Sequence, residues 1–390
     1  MDLLMKSIRR LAMILATPAF LPSQASAIEP ASVDFLGFQF TPTLKVGETF
    51  DDNFREVEND KQSSWITTVA PGFEFKAEDR NSAYRLTYLG SREIFHDAEN
   101  ASHTDHDLKL ESILEFTSRN RLNLEAGYAK KEITNSTSVV DINDKYHTQY
   151  VGGVFSYGAQ TAANRIDLSA RYQQMRFDNS GDINADEERD STSLGAVWFH
   201  RLGGATRALI EVRHNDYDYL TPNSPRNSVE NALLVGGTWD ATARTTGKVR
   251  VGYAKKDFED SSRKDLSSPM LEAGIDWAPL TYSKFSVNAR QAFDEGDDGA
   301  DAIKSTSAGV AWAHGWSERV VTTTTYSLTR LAYEGQDRTD DISEAGVAVA
   351  YKMRRWLDIS LGYRHRVNDS TFDDQSFNRN IYLISFTASL

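Results

Sequence analysis

The chain ends in IYLISFTASL, residues 381–390, a stretch in which apolar and polar residues alternate. Tyr382, Ile384, Phe386 and Leu390 fall on one face of a predicted strand, and hydroxyl residues fall on the other. A strand of this kind at an open sheet edge exposes unpaired backbone groups, which promote aggregation. The stretch therefore predicts a strand that is paired on both sides, as in a closed sheet.

The N-terminal residues are typical of an export signal. Lys6, Arg9 and Arg10 precede an apolar run over 11–21, and small residues at 25–27 form a signal-peptidase site. We predict that residues 1–27 are a cleaved signal peptide and that 28–35 form a short periplasmic segment. The 390-residue chain has no cysteine, so no disulfide stabilises this exported fold.

The composition excludes a helical membrane protein. The net charge is −13 and the mean hydropathy is −0.50. After the signal, no apolar run approaches the roughly 18 residues that a transmembrane helix needs. Membrane β-barrels do not appear in hydropathy profiles, because their lipid-facing and lumen-facing residues alternate and the average is polar.

One unit recurs along the chain after the signal: about ten alternating residues, a short turn, another ten, and a longer acidic loop. The predicted strands span 36–50, 64–77, 82–95, 108–118, 121–132, 146–157, 165–177, 191–201, 207–218, 229–240, 246–257, 268–278, 284–293, 303–313, 319–333, 343–352, 356–366 and 377–390. These eighteen strands, with sixteen as the alternative, predict a single transmembrane up-and-down antiparallel β-barrel over 36–390. The last strand would close it by pairing with 36–50.

Short turns and long loops alternate strictly, as a barrel in the bacterial outer membrane requires, with short turns in the periplasm and long loops outside. The nine long loops carry a formal charge of about −25, and the rest of the mature chain carries about +10. We therefore expect an open pore to be mildly cation-selective and to favour a neutral or weakly charged glycan over a highly acidic one. The loop carboxylates expected to act are Asp294, Glu295, Asp297, Asp298 and Asp301.

Five tryptophans recur near the predicted short turns at spacings of 35 to 44 residues: Trp198, Trp239, Trp277, Trp312 and Trp356. This spacing predicts an aromatic girdle on the periplasmic side of the membrane. A WD-repeat propeller has a similar period, but it needs about four strands per repeat, and this chain offers two.

Residues 36–75 carry a distinctive pattern, with an acidic Asp51-Asp52-Asn53 turn, Phe54, and a second strand that contains Pro71-Gly72. This hairpin resembles the opening of the putative β-barrel porin 2 family of Gram-negative bacteria. The resemblance implies an outer-membrane protein with a role in exopolysaccharide export. The terminal strand resembles the segment that such proteins present to the barrel assembly machinery.

The inner wall is predicted to be mixed in sign. The lumen-facing candidates are Arg85, Glu111, Glu125, Asp167, Arg171, Glu211, Arg213, Arg250, Glu272, Asp276, Arg290, Asp358 and Arg364. Two interpretations stay open: a self-paired wall that satisfies a wet interior, or a polar track along which sugar hydroxyls exchange hydrogen bonds.

Two loops are weak candidates for metal binding. One contains His96, His103 and His106, and the other contains Asp182 and Asp186. Neither spacing is diagnostic, so solvated loops are favoured. We expect no cofactor beyond divalent cations held loosely between the extracellular loops and lipopolysaccharide.

Catalysis and nucleic-acid binding find no support. The chain has no G-x-S-x-G motif, and an acidic protein repels nucleic acid. The favoured function is a conduit for polysaccharide export, in contact with export proteins and the glycan. The alternatives are a general diffusion porin for small solutes and a non-conducting structural or adhesive barrel.

Overall fold

The computed structural model describes residues 32–35, 37–134, 142–181, 183–242, 244–296 and 299–389. The predicted signal peptide lies outside the described residues, as do Leu36, Asp182, Asp297, Asp298 and Leu390. Within the described part, no helix has the length and apolar character to cross a membrane.

Nearly all of the described chain is β-strand. The strands are β1 Val33–Phe35, β2 Phe38–Asp51, β3 Ser64–Asp79, β4 Ser82–Phe95, β5 His103–Thr117, β6 Asn120–Ile133, β7 Asp144–Tyr157, β8 Asn164–Phe177, β9 Arg189–Gly203, β10 Thr206–Tyr219, β11 Ser228–Thr242, β12 Thr245–Phe258, β13 Leu266–Leu280, β14 Ser283–Glu295, β15 Ala302–Gly315, β16 Val320–Glu334, β17 Arg338–Arg354, β18 Leu357–Ser370 and β19 Phe377–Ser389. Short 3₁₀ turns lie at Glu99–Ala101, Ala185–Glu187 and Asp373–Gln375.

Strands β2 to β19 form a closed antiparallel barrel of eighteen strands, as predicted, and the alternative of sixteen is wrong. Each strand pairs with the next along the chain, and β19 pairs with β2 from Ile381↔Asp51 to Ser389↔Thr43. The terminal strand therefore closes the sheet and leaves no edge, which satisfies the backbone groups that a membrane cannot hydrate. The short β1 was not predicted; it pairs with the start of β2 across Gly37.

The barrel has two different ends. The turn end carries the short connections, 80–81, 118–119, 158–163, 204–205, 243–244, 281–282, 316–319 and 355–356. The loop end carries the long ones, 52–63, 96–102, 134–143, 178–188, 220–227, 259–265, 296–301, 335–337 and 371–376. Short and long connections alternate as predicted except at 335–337, where the connection is shorter than the turn-end connections 158–163 and 316–319. Both ends of the sheet-forming chain lie at the turn end.

Two strands begin earlier than the sequence predicted, β5 at His103 instead of 108 and β17 at Arg338 instead of 343. Their first residues are polar, because these strands rise above the apolar band and pair with neighbours there. An alternation rule that requires apolar residues cannot detect such ends. Part of the acidity assigned to loops therefore lies in strand ends.

Side chains alternate between the two faces of the wall. On β10, Ile210 and Val212 are about half exposed on the outer face, whereas Leu209 and Glu211 are buried on the inner face. The outer face of the barrel is thus an apolar band for lipid, and the polar alternates line the lumen.

Candidate functional site

The lumen is the candidate site, because all thirteen predicted wall residues lie on the inner face. Arg85, Glu111, Glu125, Tyr150 and Arg171 form a first wall cluster on β4 to β8. The Arg85 Nε donates to Glu111 at 2.7 Å, and the Arg171 Nη1 donates to Glu125 at 2.6 Å. The Arg171 guanidinium also lies 3.7 Å from the centre of the Tyr150 ring.

The Tyr150 ring lies over a glycine. Gly127 faces Tyr150 on the neighbouring strand, and a Cβ at Gly127 would come within 2.4 Å of the ring. Without a side chain at this position, the aromatic ring lies flat against the wall instead of projecting across the lumen. Tyr150 was not among the predicted site residues, although its alternation with outward Val151 marks it as inward-facing.

A second wall cluster, Glu211, Arg213, Arg250 and Glu272, lies on β10 to β13. The Arg213 guanidinium donates to both carboxylate oxygens of Glu272, at 2.5 and 3.1 Å, and its Nε donates to Glu211 at 2.6 Å. The Arg250 Nη1 donates to Glu272 at 3.2 Å, and its Nε lies 2.9 Å from Glu211. Two arginines and two carboxylates therefore neutralise one another.

The pair of Arg213 and Glu272 spans the wall from β10 to β13. Glu272 is in register with Arg250 and Gly236, and Arg213 is in register with Ala232 and Ala254, two buried alanines. These small side chains leave room for the long arginine to lie along the wall. The geometry matches a self-paired inner surface that still presents donors and acceptors to the lumen.

The other five predicted wall residues lie apart from these clusters. Asp167 pairs with Arg165 at 3.0 Å, Asp276 with Lys284 at 3.1 Å, Arg290 with Asp294 at 2.5 Å and Arg364 with Glu344 at 3.6 Å. Asp358 is buried, and its Oδ1 has no hydrogen-bond partner within the described chain.

The first long loop, 52–63, folds inward at the loop end. Phe54 is 1% exposed and packs on Phe95, with ring centroids 5.0 Å apart. The Arg55 Nη1 donates to the Thr134 carbonyl at 2.5 Å and to Asn143 Oδ1 at 3.1 Å. This loop therefore spans from the β2–β3 connection to the β6–β7 connection and narrows the loop end.

Loop 220–227 makes a similar bridge on the opposite sector. Arg226 is 6% exposed, and its guanidinium lies 4.7 Å from the centre of the Tyr219 ring. Its Nη2 donates to Asp186 Oδ2 at 3.0 Å, and its Nη1 donates to the Gly296 carbonyl at 3.3 Å. We call the contacts of loops 52–63 and 220–227 the loop mesh.

Buried charge supports this mesh. Lys256 is fully buried, 4.2 Å from the centre of the Tyr217 ring, and its Nζ pairs with Glu295 at 2.5 Å. The Tyr219 hydroxyl donates to the same carboxylate at 2.7 Å. The expectation that Glu295 is a free loop carboxylate is therefore wrong. Asp294 pairs with Arg290, and Asp301 with Arg263.

Strand β13 explains the position of Glu295. It pairs with β14 only as far as Leu271↔Gln291, so the end of β14 separates from its neighbour and Glu295 becomes buried. Pro269 occupies β13 just above this point, and its missing backbone N–H suits a position with no partner on that side. In the sequence, a proline within a predicted strand was the one sign of this separation.

The Asp-Asp-Asn-Phe pattern clamps the barrel closed. Asp51 is 1% exposed and accepts hydrogen bonds from Arg379, with Nε 2.9 Å and Nη2 2.5 Å from its Oδ2. Asp52 accepts from the backbone and side-chain amides of Asn380 at 2.7 and 2.6 Å. Asn53 donates to the backbone carbonyl of residue 378 at 2.9 Å. We call this set the seam clamp.

The three histidines proposed as metal ligands do not converge. His96 contacts Thr67 Oγ1 at 2.8 Å, His103 contacts the Ala101 carbonyl at 2.7 Å, and His106 contacts the Tyr88 hydroxyl at 3.0 Å. Asp186 belongs to the loop mesh. Across the ranges that the structure describes, no group of three or more His, Asp or Glu residues is placed to hold a metal ion.

The five predicted girdle tryptophans lie on the outer face or in a turn. Trp239, Trp277 and Trp312 are each three residues from the turn end of their strands, Trp198 lies slightly deeper, and Trp356 lies in a turn. A ring row crosses β13 to β15, since Phe285 stacks between Trp277 and Trp312 at 5.4 and 6.1 Å. Trp316, 6.4 Å from Trp312, was missed.

The terminal strand presents Tyr382, Ile384 and Phe386 to the outside. Tyr382 joins an aromatic row across the closing pair, with ring centroids 6.5 Å from Phe50 and 5.0 Å from Tyr363. This row extends to Trp65 and lies toward the loop end, so the outer face carries aromatic residues near both ends of its apolar band.

Comparison with known proteins agrees with this architecture. A family model described as putative beta-barrel porin 2 matches residues 27–390. The outer membrane protein OpdK of Pseudomonas aeruginosa is similar in structure, with a TM-score of 0.51 at 11% identity over 90% of this chain and 99% of that chain. OccK2 (OpdF) of the same organism, solved with glucuronate, gives 0.51 at 10% identity over 90% and 98%. No curated protein sequence matches the chain.

Proposed function

Because this chain belongs to the putative β-barrel porin 2 family, and is a barrel of the bacterial outer membrane, we propose that it is a conduit for an exported polysaccharide. The family is one of porins, which are not enzymes. By the orientation of bacterial outer-membrane barrels, the turn end faces the periplasm and the loop end faces the exterior.

The observation that supports a sugar cargo is the first wall cluster. The Arg171 guanidinium lies over the Tyr150 ring and pairs with Glu125, so a cation, a carboxylate and a phenol hydroxyl stand together in the wall. The hydroxyls of a sugar can exchange hydrogen bonds with the guanidinium, the carboxylate and the phenol hydroxyl of this group. The second wall cluster extends this polar surface around the lumen.

The width of the barrel supports a conduit as well. Eighteen strands enclose an aqueous channel unless loops or a plug close it. In this chain the side chains of the wall clusters pair with one another within the wall. The loop mesh narrows the exterior end. We therefore place the gate of the conduit at the loop mesh.

A non-conducting surface barrel is the second candidate, and the interlocked loop mesh favours it. A general diffusion porin for small solutes is the third. For each of these candidates we infer that the barrel assembly machinery binds β19 and that the outer face contacts lipopolysaccharide.

Conductance in planar bilayers tests the proposal. We expect the purified barrel to conduct and to show current blockades with a neutral oligosaccharide and with glucuronate, the solute present in the OccK2 structure. Tyr150→Ala should shorten the blockades, and Tyr326→Ala, on the outer face, is the matched control. A barrel that never opens supports the structural alternative, and conduction without sugar blockades supports the diffusion porin.

A further inference from the structure

Three arginines face the lumen at the turn end, closer to the turns than the wall-cluster residues on the same strands. Arg121, Arg165 and Arg207 are each the second residue of their strand, β6, β8 and β10. All three alternate with outward residues and therefore lie on the inner face. We call them the turn-end arginines.

Arg121 has no hydrogen bond or ion pair from its side chain to any residue that the structure describes, and its Nε is buried. Ser156 lies in register with it on β7, and the Ser156 Oγ is likewise buried and unsatisfied within the described chain. These two side chains line a small cleft together with Glu115, Arg119 and Gln160. The cleft therefore contains two buried polar atoms, Arg121 Nε and Ser156 Oγ, without a hydrogen-bond partner among the described residues.

Arg165 and Arg207 lie on the following inward-facing strand ends, beside the cleft and not in its lining. Arg165 pairs with Asp167 at 3.0 Å and lies 4.4 Å from the centre of the Phe199 ring. Arg207 is only 8% exposed; its Nη2 donates to the Gln160 and Ala162 carbonyls, while its Nη1 is buried without a partner among the described residues.

These positive charges repel one another. Arg165 lies close enough to Arg121 and Arg207 to act on both electrostatically, and the carboxylates that oppose them are Asp167 and Glu115. Folding has thus gathered like charges and left guanidinium N–H groups unsatisfied. An anion bound beside the turn-end arginines would satisfy both the charge and the free donors.

We propose that the turn-end arginines form a subsite for the carboxylate group of an acidic sugar. This inference rests on the proposed conduit for a glycan and names its substrate class. A planar guanidinium binds a carboxylate through two parallel hydrogen bonds, which an ammonium group cannot do. The turn end faces the periplasm, so an exported glycan meets this subsite first.

This assignment revises the expectation of a neutral or weakly charged cargo. That expectation rested on free acidic loops at the exterior mouth. In the structure Asp294, Glu295 and Asp301 are paired with cations. The barrier to a polyanion at the loop end is therefore lower than the sequence indicated, and the basic group lies where the cargo enters.

Titration calorimetry on the detergent-solubilised full barrel at low salt tests the subsite. Glucuronate should bind, glucose should bind at least tenfold more weakly, and Arg121→Gln should weaken glucuronate about tenfold. Arg121→Lys should restore only part of the affinity. The matched control is Arg330→Gln, since Arg330 is an exposed outer-face arginine paired with Asp341. Heat-modifiable migration verifies that each variant is folded.

Two further measurements distinguish a sugar carboxylate from an inorganic anion, and the subsite proposal from the conduit proposal. Inorganic phosphate and sulfate should bind more weakly than glucuronate; equal binding of all anions overturns the sugar assignment, as does equal binding of glucuronate and glucose. Glucuronate binding without flux in liposomes supports the subsite and removes the conduit. Flux of neutral sugars without glucuronate binding supports the conduit and removes the subsite.

Discussion

Arg379 holds the buried carboxylate of Asp51 across the strand pair that closes the barrel, with Nη2 and Oδ2 2.5 Å apart. Arg379 Nη1 also lies 2.8 Å from Glu56, at the start of the first long loop. One cation therefore joins β19, β2 and loop 52–63. The Asp51-Asp52-Asn53 pattern thus holds β2 and β19 together where the barrel closes.

Replacing Arg379 should destabilise the barrel. Arg379→Gln leaves Asp51 without its cation, whereas Glu56 keeps Arg366 at 2.7 Å, and an uncompensated buried charge costs about 3 kcal/mol. Urea unfolding in lipid vesicles measures the loss. The control is Arg330→Gln, because Arg330 and Asp341 form a cross-strand pair of the same geometry that is exposed. We expect a change below about 1 kcal/mol there. Equal losses in both variants would contradict the seam clamp.

Two inner-face glycines should respond oppositely to alanine. A Cβ at Gly252 would come 2.1 Å from the Leu233 carbonyl oxygen, whereas a Cβ at Gly362 would meet nothing closer than 3.8 Å. Gly252→Ala must therefore shift backbone and should cost about 3 kcal/mol. Gly362→Ala should be neutral or stabilise by about 0.5 kcal/mol, because alanine loses less entropy on folding. The same unfolding assay compares them.

Acidic residues at the loop end should separate into structural and electrostatic groups. Asp373 and Asp374 are exposed on loop 371–376, so Asp373→Asn with Asp374→Asn should lower cation preference at low salt and leave stability within about 0.5 kcal/mol. Glu295→Gln should cost about 2 kcal/mol, since it leaves Lys256 buried and unpaired. Reversal potentials measure the cation preference, and unfolding curves measure the stability. A stable Glu295→Gln barrel would exclude the buried pair as a support of the loop mesh.

The aromatic row at the turn end should lie at the level of the lipid headgroups. In variants that retain only Trp277 or only Trp312, lipids brominated near the headgroup should quench fluorescence more strongly than lipids brominated near the chain end. Trp277→Ala should lower stability in bilayers by about 2 kcal/mol, because it removes a stacked, lipid-facing ring. Stronger quenching by deep bromines would rule out the girdle assignment.

The strand count could be predicted because alternation and turn length are local properties of the chain. The strand from 82 to 95 has the predicted bounds, and the closing role of the terminal strand follows from its pattern alone. Polar strand ends such as His103 and Arg338 were missed, since they lie above the apolar band.

The candidate site was predicted less completely. Alternation placed all thirteen wall residues on the inner face, but it could not pair Arg213 with Glu272, which requires the register of four strands. It also could not reveal that Asp51 meets Arg379, because that contact joins positions 328 residues apart. Side-chain partners across a closed sheet depend on the whole fold.

The same separation has a kinetic consequence. Neighbouring hairpins of this barrel form from local contacts, whereas β2 and β19 meet only when every intervening strand is in register, so closure is the slowest contact to reach and the last to form. Interactions absent from the transition state act mainly on the rate of unfolding. The Arg379 and Asp51 pair therefore sets how long a completed barrel lasts, while the speed with which barrels are made is set elsewhere along the chain.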